Sequence, residues 1–167
     1  MKNKSGIETA IPHFAEPLRI ERIVSDYTGT LSFNGKLIAG VAERLRRLME
    51  LVEVDVVTSD SFGTAHTELA AIPLQPHILE AGKRHDIQKK NYAKKLRPAR
   101  IAAFGNGNND ALLLRTVRDA GGLAIAVDNG EGCSVEALQN ANVFIVGIAN
   151  ALDGLLDPRR LQATLRK

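Results

Sequence analysis

Cys133 is the only cysteine in the chain. No intrachain disulfide can form, and the composition suits a reducing cytoplasm. Aromatic residues make up only 4%, which leaves few platforms for stacking nucleic-acid bases. No apolar run is long enough to span a bilayer, so no membrane function is expected. The opening Met1-Lys2-Asn3-Lys4 lacks a following apolar region, and no secretory signal is expected there. The excess of positive charge is small, +3, and by itself implies no nucleic-acid partner. The chain has no internal repeat, low-complexity tract or linker. What it does have is ordinary for a soluble domain: 167 residues, 44% hydrophobic and 25% charged, enough for one domain over 1–167 with a sizeable core.

Strand-like and helix-like segments alternate along the chain. Ile7 to Ile11 and Leu18 to Val24 read as strands that can pair as an N-terminal hairpin. Phe33-Asn34-Gly35-Lys36 reads as a turn. Val41, Leu45, Leu48, Met49 and Leu51 recur at helical spacing. Further strands are expected at Val54 to Val57, Pro76 to Leu79, Ile101 to Phe104, Leu123 to Val127 and Val143 to Val146. Helices are expected over Gly63 to Ala71, from an Asp86 N-cap to about Leu96, over Ala111 to Asp119 and over Val135 to Gln139. Ala149 to Leu156 and Pro158 to Leu165 close the chain as helices. Several strands are continuous apolar runs, as when both faces of a sheet are covered. The fold class expected is α/β, a parallel sheet between helix layers.

Three of these strands finish in polar residues suited to phosphate. They are Asp26-Tyr27-Thr28-Gly29-Thr30, Thr58-Ser59-Asp60, and Gly105-Asn106-Gly107-Asn108-Asn109-Asp110. In a parallel sheet all three project from one edge, where open α/β sheets bind ligands. Asp26 beside a glycine turn suits a nucleophile attacking phosphorus, with amides to hold an anion and a hard cation to screen charge. Its plainer reading is an Asx-turn with Gly29 inside it. Thr58 can hold a phosphoryl oxygen, or simply cap the next helix. Asn106 and Asp110 are candidate oxygen ligands for Mg²⁺. Alternatively, Asn108 or Asn109 caps a helix and Asp110 occupies its first turn. The glycines of this loop do not match the dinucleotide fingerprint, which argues against a nicotinamide cofactor. Lys83 to Arg100 is strongly basic, mostly a solvated helix face. One lysine near the start of that helix can reach the pocket, and Lys89 is the choice.

Together these segments resemble the haloacid-dehalogenase-like (HAD) phosphohydrolases. That superfamily has an Asp-x-Asp-Gly-Thr motif after its first strand, then a Thr or Ser, a Lys, and an acidic loop of the kind Gly-Asp-Gly-x-Asn-Asp. The matching residues are Asp26, Thr28, Gly29 and Thr30; Thr58; Lys89; and Gly105, Asn106, Gly107, Asn109 and Asp110. Asp26-Tyr27-Thr28-Gly29-Thr30 is also similar to the Asp-Lys-Thr-Gly-Thr of cation-pumping ATPases, and the chain resembles their small soluble relatives, the P-type-ATPase-like HAD hydrolases.

The resemblance implies a three-layer Rossmann-like sheet without a cap domain, acting on a small phosphorylated substrate. It implies Asp26 as nucleophile, with Thr28, Thr58 and Lys89 beside it. It implies a phosphate held by Gly29, Thr30, Thr58, Ser59, Lys89 and Asn109, and Mg²⁺ held by Asp26, Thr28, Asn106 and Asp110. Capless members often cover their site with a neighbouring subunit, so a homo-oligomer is expected. Two departures stand out. Thr28 replaces the aspartate that exchanges protons, which implies slow turnover, and Asn106 replaces the first acid of the fourth motif. A phosphate-binding regulatory protein without turnover is the alternative these departures motivate. A signalling receiver domain needs an acidic pair at the first strand end, where Ser25-Asp26 supplies one acid.

Overall fold

A computed structural model describes residues 4–167. The expectation of no secretory signal at Met1-Lys2-Asn3 falls outside the described residues. In chain order the elements are β1 (Ile7–Thr9), β2 (Leu18–Ile20), β3 (Arg22–Ser25), β4 (Ser32–Phe33), β5 (Lys36–Leu37), α1 (Val41–Met49), β6 (Glu53–Thr58), α2 (Ala65–Leu69), β7 (His77–Ile78), α3 (His85–Lys94), β8 (Ile101–Gly105), α4 (Ala111–Asp119), β9 (Leu123–Asp128), α5 (Val135–Asn140), β10 (Val143–Val146), α6 (Ile148–Leu156) and α7 (Arg159–Leu165). A 3₁₀ turn over Asn108–Asp110 leads into α4.

Six strands form one sheet in the order β10-β9-β8-β3-β6-β7, and each neighbouring pair is parallel. The middle strands are apolar throughout because helices cover both faces. All of β8 is buried, as are Ile23 and Val24 of β3. Successive side chains point to opposite layers. Ile23, Phe104 and Ile125 pack with Leu45, Leu48 and Leu152 from α1 and α6. Val24, Ala103 and Ala124 pack with Ala93, Leu113 and Val117 from α3 and α4. Helix α1 shows why the layers hold: Val41, Leu45 and Leu48 are buried on one stripe while Glu43, Arg46 and Arg47 face water. Each such buried side chain contributes about 1.5–3 kcal/mol.

The structure departs from the sequence reading in places. Leu18 to Val24 is two strands, not one. β2 pairs antiparallel with β1, completing the expected hairpin, while β3 joins the parallel sheet. The bend at Glu21 is pinned on both sides, its amide donating to the Arg100 carbonyl and its own carbonyl accepting from the Glu53 amide. Apolar periodicity carries no mark of such a bend. The Phe33–Lys36 turn is the tip of a β4–β5 hairpin, with φ of 49° at Asn34 and 75° at Gly35, a type I′ turn. Asp86 does not cap α3. Arg84 holds the N-cap position, and the Asp86 carboxylate turns back to accept from Arg84 Nε at 3.1 Å.

Only the β4–β5 hairpin and α1 lie between β3 and β6, and only α2, β7, α3 and a 3₁₀ turn over Pro98–Arg100 between β6 and β8. Because β6, β3 and β8 are adjacent and parallel, their polar ends open on the same edge of the sheet.

Candidate active site

Asp26 follows β3 directly, Thr58 ends β6 and Gly105 ends β8. Across this edge lies Lys89 of α3, on the face that also buries Ala93. Lys89 Nζ donates to Asp26 Oδ1 at 2.8 Å and to Asp110 Oδ1 at 2.7 Å. The cluster is almost closed to water: Asp26 is 3% exposed, and Lys89 and Asp110 are 0% exposed. Of the basic run Lys83 to Arg100, Lys89 is the residue drawn inside.

Asp110 is held from its other side. Its Oδ2 accepts from the amides of Asn106 and Gly107, each at 3.0 Å. A Cβ on Gly105 would lie 2.4 Å from Asp110 Cβ, so only glycine admits the carboxylate there. Neither Asn108 nor Asn109 caps the turn with its side chain; Asp110, folded back on the loop amides, closes it instead.

Burial sets the electrostatics. Desolvation pushes the Asp26 carboxyl up to about 6, against the opposing pull of Lys89. Desolvation alone would lower Lys89, but Asp110 and Asp26 outweigh it and hold the ammonium at about 12. Two carboxylates face one ammonium, which leaves a negative charge for a cation to neutralise.

The glycine turn is built on Tyr27. Its carbonyl accepts the amides of Thr30 at 3.2 Å, Leu31 at 2.9 Å and Ser32 at 3.0 Å. The Thr30 amide, expected to face the anion, is therefore turned inward. Thr30 acts through its hydroxyl instead, donating to Asn106 Oδ1 at 3.1 Å. Asn106 Nδ2 donates to the Gly132 carbonyl at 3.1 Å, so this amide side chain is fixed at both ends. Gly29 has φ of 74°, and a Cβ there would lie 2.6 Å from Asn106 Nδ2, so glycine is required on both counts. Tyr27 stands where the pumps carry lysine, but it is buried, its hydroxyl donating to the Gly35 carbonyl at 2.9 Å. Thr28 Oγ1 is shielded from water and has no hydrogen-bond partner.

At the end of β6, Thr58 Oγ1 accepts from the Asp60 amide at 3.0 Å, leaving its own proton for another acceptor. Ser59 Oγ lies 3.2 Å from Ser61 Oγ. Asp60, four residues before the Thr64 N-cap, holds the start of α2, its Oδ1 accepting from the amides of Thr64 and Ala65, each at 3.0 Å.

Sequence reasoning missed Asn129, which lies in the loop after β9. Its Nδ2 donates to the Gly29 carbonyl at 3.1 Å and the Thr30 carbonyl at 2.6 Å, and its Oδ1 accepts from the Ile148 amide at 2.8 Å. One side chain thus ties the glycine turn to the start of α6. The Asn129-Gly130 pair signals only a loop, so nothing in the sequence pointed to this clamp. Asn129→Ala should cost about 1–3 kcal/mol in urea unfolding, because three backbone groups lose their partner together.

Among the described residues no three of His, Cys, Asp and Glu converge as a metal cluster. The side-chain oxygens that hydrogen bonds bring together are the Asp26 and Asp110 carboxylates, joined through Lys89, and Asn106 Oδ1, which accepts from Thr30. Lys89 engages only Oδ1 of Asp26, which leaves Oδ2 without a side-chain partner. Two carboxylates and a neutral oxygen fit Mg²⁺, which keeps several waters and rarely has an all-protein cage.

No family model matches the chain. Among solved structures, a 3-deoxy-D-manno-octulosonate 8-phosphate phosphatase from Moraxella catarrhalis, in complex with magnesium, phosphate and KDO, aligns with a TM-score of 0.61 at 14% identity, over 88% of this chain and 94% of that one. The cobalt-bound deoxy-D-mannose-octulosonate 8-phosphate phosphatase of Haemophilus influenzae aligns with a TM-score of 0.57 at 15% identity, over 87% of this chain and 91% of that one. A haloacid dehalogenase-like family hydrolase from Streptococcus pneumoniae gives 0.56 at 13% identity, over 83% and 99%. The architecture is thus the HAD fold. In sequence, the uncharacterized protein MJ0073 of Methanocaldococcus jannaschii is 38% identical over 81 residues, 48% of this chain and 77% of that protein. The chain belongs to the same family as this archaeal protein.

Proposed function

We propose that the protein is a Mg²⁺-dependent phosphatase of the capless HAD type, acting on a small phosphorylated substrate through an aspartyl-phosphate. The observation that carries this reading is the buried Lys89 ammonium between Asp26 and Asp110. A lysine is rarely taken wholly out of water unless its charge has work to do there. Divalent ions in the two octulosonate 8-phosphate phosphatases support the metal requirement.

Asp26 attacks phosphorus in line, and the bond from phosphorus to the leaving oxygen breaks with its electrons on that oxygen. Lys89, the Thr58 hydroxyl and the Gly29 amide stabilise the equatorial oxygens. Ser59 and Asn109 would add hydrogen bonds to the phosphate from either side. Asp26, the Thr28 carbonyl, Asn106 and Asp110 would hold Mg²⁺, which when bound screens the charge between carboxylate and phosphate. Water then cleaves the acyl-phosphate and frees Asp26.

Thr28 cannot exchange a proton near neutral pH, so neither the leaving oxygen nor the attacking water receives help from it. That help is worth about 10²–10⁴-fold, and Thr28→Asp should recover part of it as faster phosphate release from an aryl phosphate. No gain would remove Thr28 as the cause of slow turnover. The nucleophile must be ionised, so kcat/KM should fall in acid; burial raises the Asp26 carboxyl and a bound Mg²⁺ would lower it, so the fall should move to higher pH as Mg²⁺ is withdrawn. A panel of phosphate esters assayed with Mg²⁺ tests the whole reading.

The unpartnered Thr28 hydroxyl favours a second reading, a regulatory protein that binds phosphate without turning it over. Phosphate binding by calorimetry with no Asp26-dependent hydrolysis of any ester would establish it.

A further inference from the structure

β10 is one edge of the sheet, and among the described residues no strand lies beyond it. All four of its residues line a surface groove of about 380 Å³, shared with Arg160, Leu161 and Thr164 of α7. The Gly147 amide donates to the Asp128 carbonyl of β9 at 2.8 Å. Backbone groups alternate in side along a strand, so Val143 and Ile145 also turn theirs to β9, and those of Phe144 and Val146 point outward. The Val146 carbonyl accepts from Asn150 Nδ2 at 2.8 Å and keeps a second lone pair.

The side chains alternate too. Val143 and Ile145 pack on the layer of α1 and α6. Phe144 and Val146 face the other layer, where α5 packs on α4 and β9 and leaves them 44% and 65% exposed. Of the eight large apolar side chains exposed among the described residues, four lie in Val135–Val146, so the exposure is concentrated at this edge. Free edges are normally protected by shortness, proline or charge. The opposite edge is: β7 is two residues long, follows Pro76 and precedes Glu80 and Lys83. β10 has none of these devices, and no charged residue occurs from Ala141 to Leu152. A strand without charge gives a foreign chain nothing to be selected by, but it meets a copy of itself without repulsion.

We propose that two copies of the chain join edge to edge through β10, antiparallel about a two-fold axis at Ile145, into one continuous sheet. In this register Phe144 of each copy stands opposite Val146 of the other, and their outward backbone groups exchange both hydrogen bonds of an antiparallel pair. The exposed side chains of the two copies then cover each other on one face. A two-fold pairing uses the same surface twice and closes at the dimer. β9 and β8 separate β10 from β3, so the edge of the sheet at Asp26 stays uncovered. The contact is distinct from the site-covering subunit that the resemblance implies, and it does not rest on the phosphatase reading.

Sedimentation equilibrium tests it. At about 100 µM the native chain should run at twice the mass of one copy, with a Kd in the micromolar range or tighter. Phe144→Lys with Val146→Lys sets lysine opposite lysine across the axis and should raise Kd at least about 100-fold. Phe144→Lys with Val146→Glu sets lysine opposite glutamate and should return Kd to within about tenfold of the native value. Independently of any variant, the Phe144 and Val146 amides should exchange hydrogen at least about tenfold more slowly in concentrated than in dilute protein. A native monomer at about 100 µM, a dimer that the double-lysine variant leaves intact, a lysine–glutamate variant that stays monomeric, concentration-independent exchange, or association beyond the dimer would each overturn the pairing. Absence of Asp26-dependent hydrolysis of every ester would overturn the phosphatase reading and leave the dimer standing.

Discussion

Lys89→Met should destabilise the protein by about 3–5 kcal/mol at neutral pH, far more than loss of a surface ion pair. Lys89 is wholly buried, and its ammonium touches both Asp26 and Asp110. Methionine fills most of the same volume but leaves two carboxylates facing each other without a counter-ion.

The pH dependence identifies the cause. Asp26 titrates at about 6 in the fold against 3.8 for the free side chain. Its folded pKa is raised, so its contribution to stability is fully present below about 3.8 and is lost as pH rises through about 6. That difference of about two units is worth about 3 kcal/mol. Removing Lys89 takes away an influence that lowers Asp26, so the carboxyl in the variant stays protonated to still higher pH. The penalty of Lys89→Met should therefore be large in urea titrations at pH 7.5 and shrink toward pH 4.5. Lys89 itself is raised, from 10.5 to about 12, so its contribution is present below about 10.5 and fades as pH rises through about 12. Lys90→Met, at the next and only partly buried position, should change stability by no more than about 0.5 kcal/mol. Equal effects at the two lysines would mean that the buried bridge contributes nothing particular.

Asp26→Asn should separate activity from stability. The variant keeps the shape of the site, and Lys89 keeps Asp110 as its partner. It also removes a carboxyl that burial already disfavours in its charged form. Stability should hold or rise, by up to about 1–3 kcal/mol. Hydrolysis of any phosphate ester should meanwhile fall by at least about 10³-fold, because an amide cannot replace the carboxylate as nucleophile. A variant that unfolds would show that Asp26 is needed structurally, and a variant that still hydrolyses would remove Asp26 from the chemistry. The rates come from phosphate release with Mg²⁺, and the stability from urea unfolding of the same preparation.

The sheet was legible because its middle strands are short apolar runs punctuated by turn residues, each followed by a helical stripe such as Val41, Leu45 and Leu48. The common edge for Asp26, Thr58 and Gly105 followed from reading their strands as parallel, whereas the order in which the strands pair was not read. The choice of Lys89 within a run of lysines and arginines came from its position near the start of the helix. Details decided by competition between partners were not legible. Asp86 is a good N-cap by composition, but Arg84 two residues away claims its carboxylate. The Thr30 amide has a free carbonyl at Tyr27 within reach and takes it. Asn129 lies about a hundred residues from the turn it clamps, and no local pattern encodes a contact at that range.

The most direct measurement is to trap the covalent intermediate. The protein is incubated with Mg²⁺ and acetyl phosphate, quenched in acid, reduced with borohydride and mapped by peptide mass spectrometry. The expected result is modification at Asp26, lost in Asp26→Asn and more persistent in the native protein than in Thr28→Asp. Modification at Thr58 or Ser59 instead, or hydrolysis without any modified aspartate, would contradict an aspartyl-phosphate at this site.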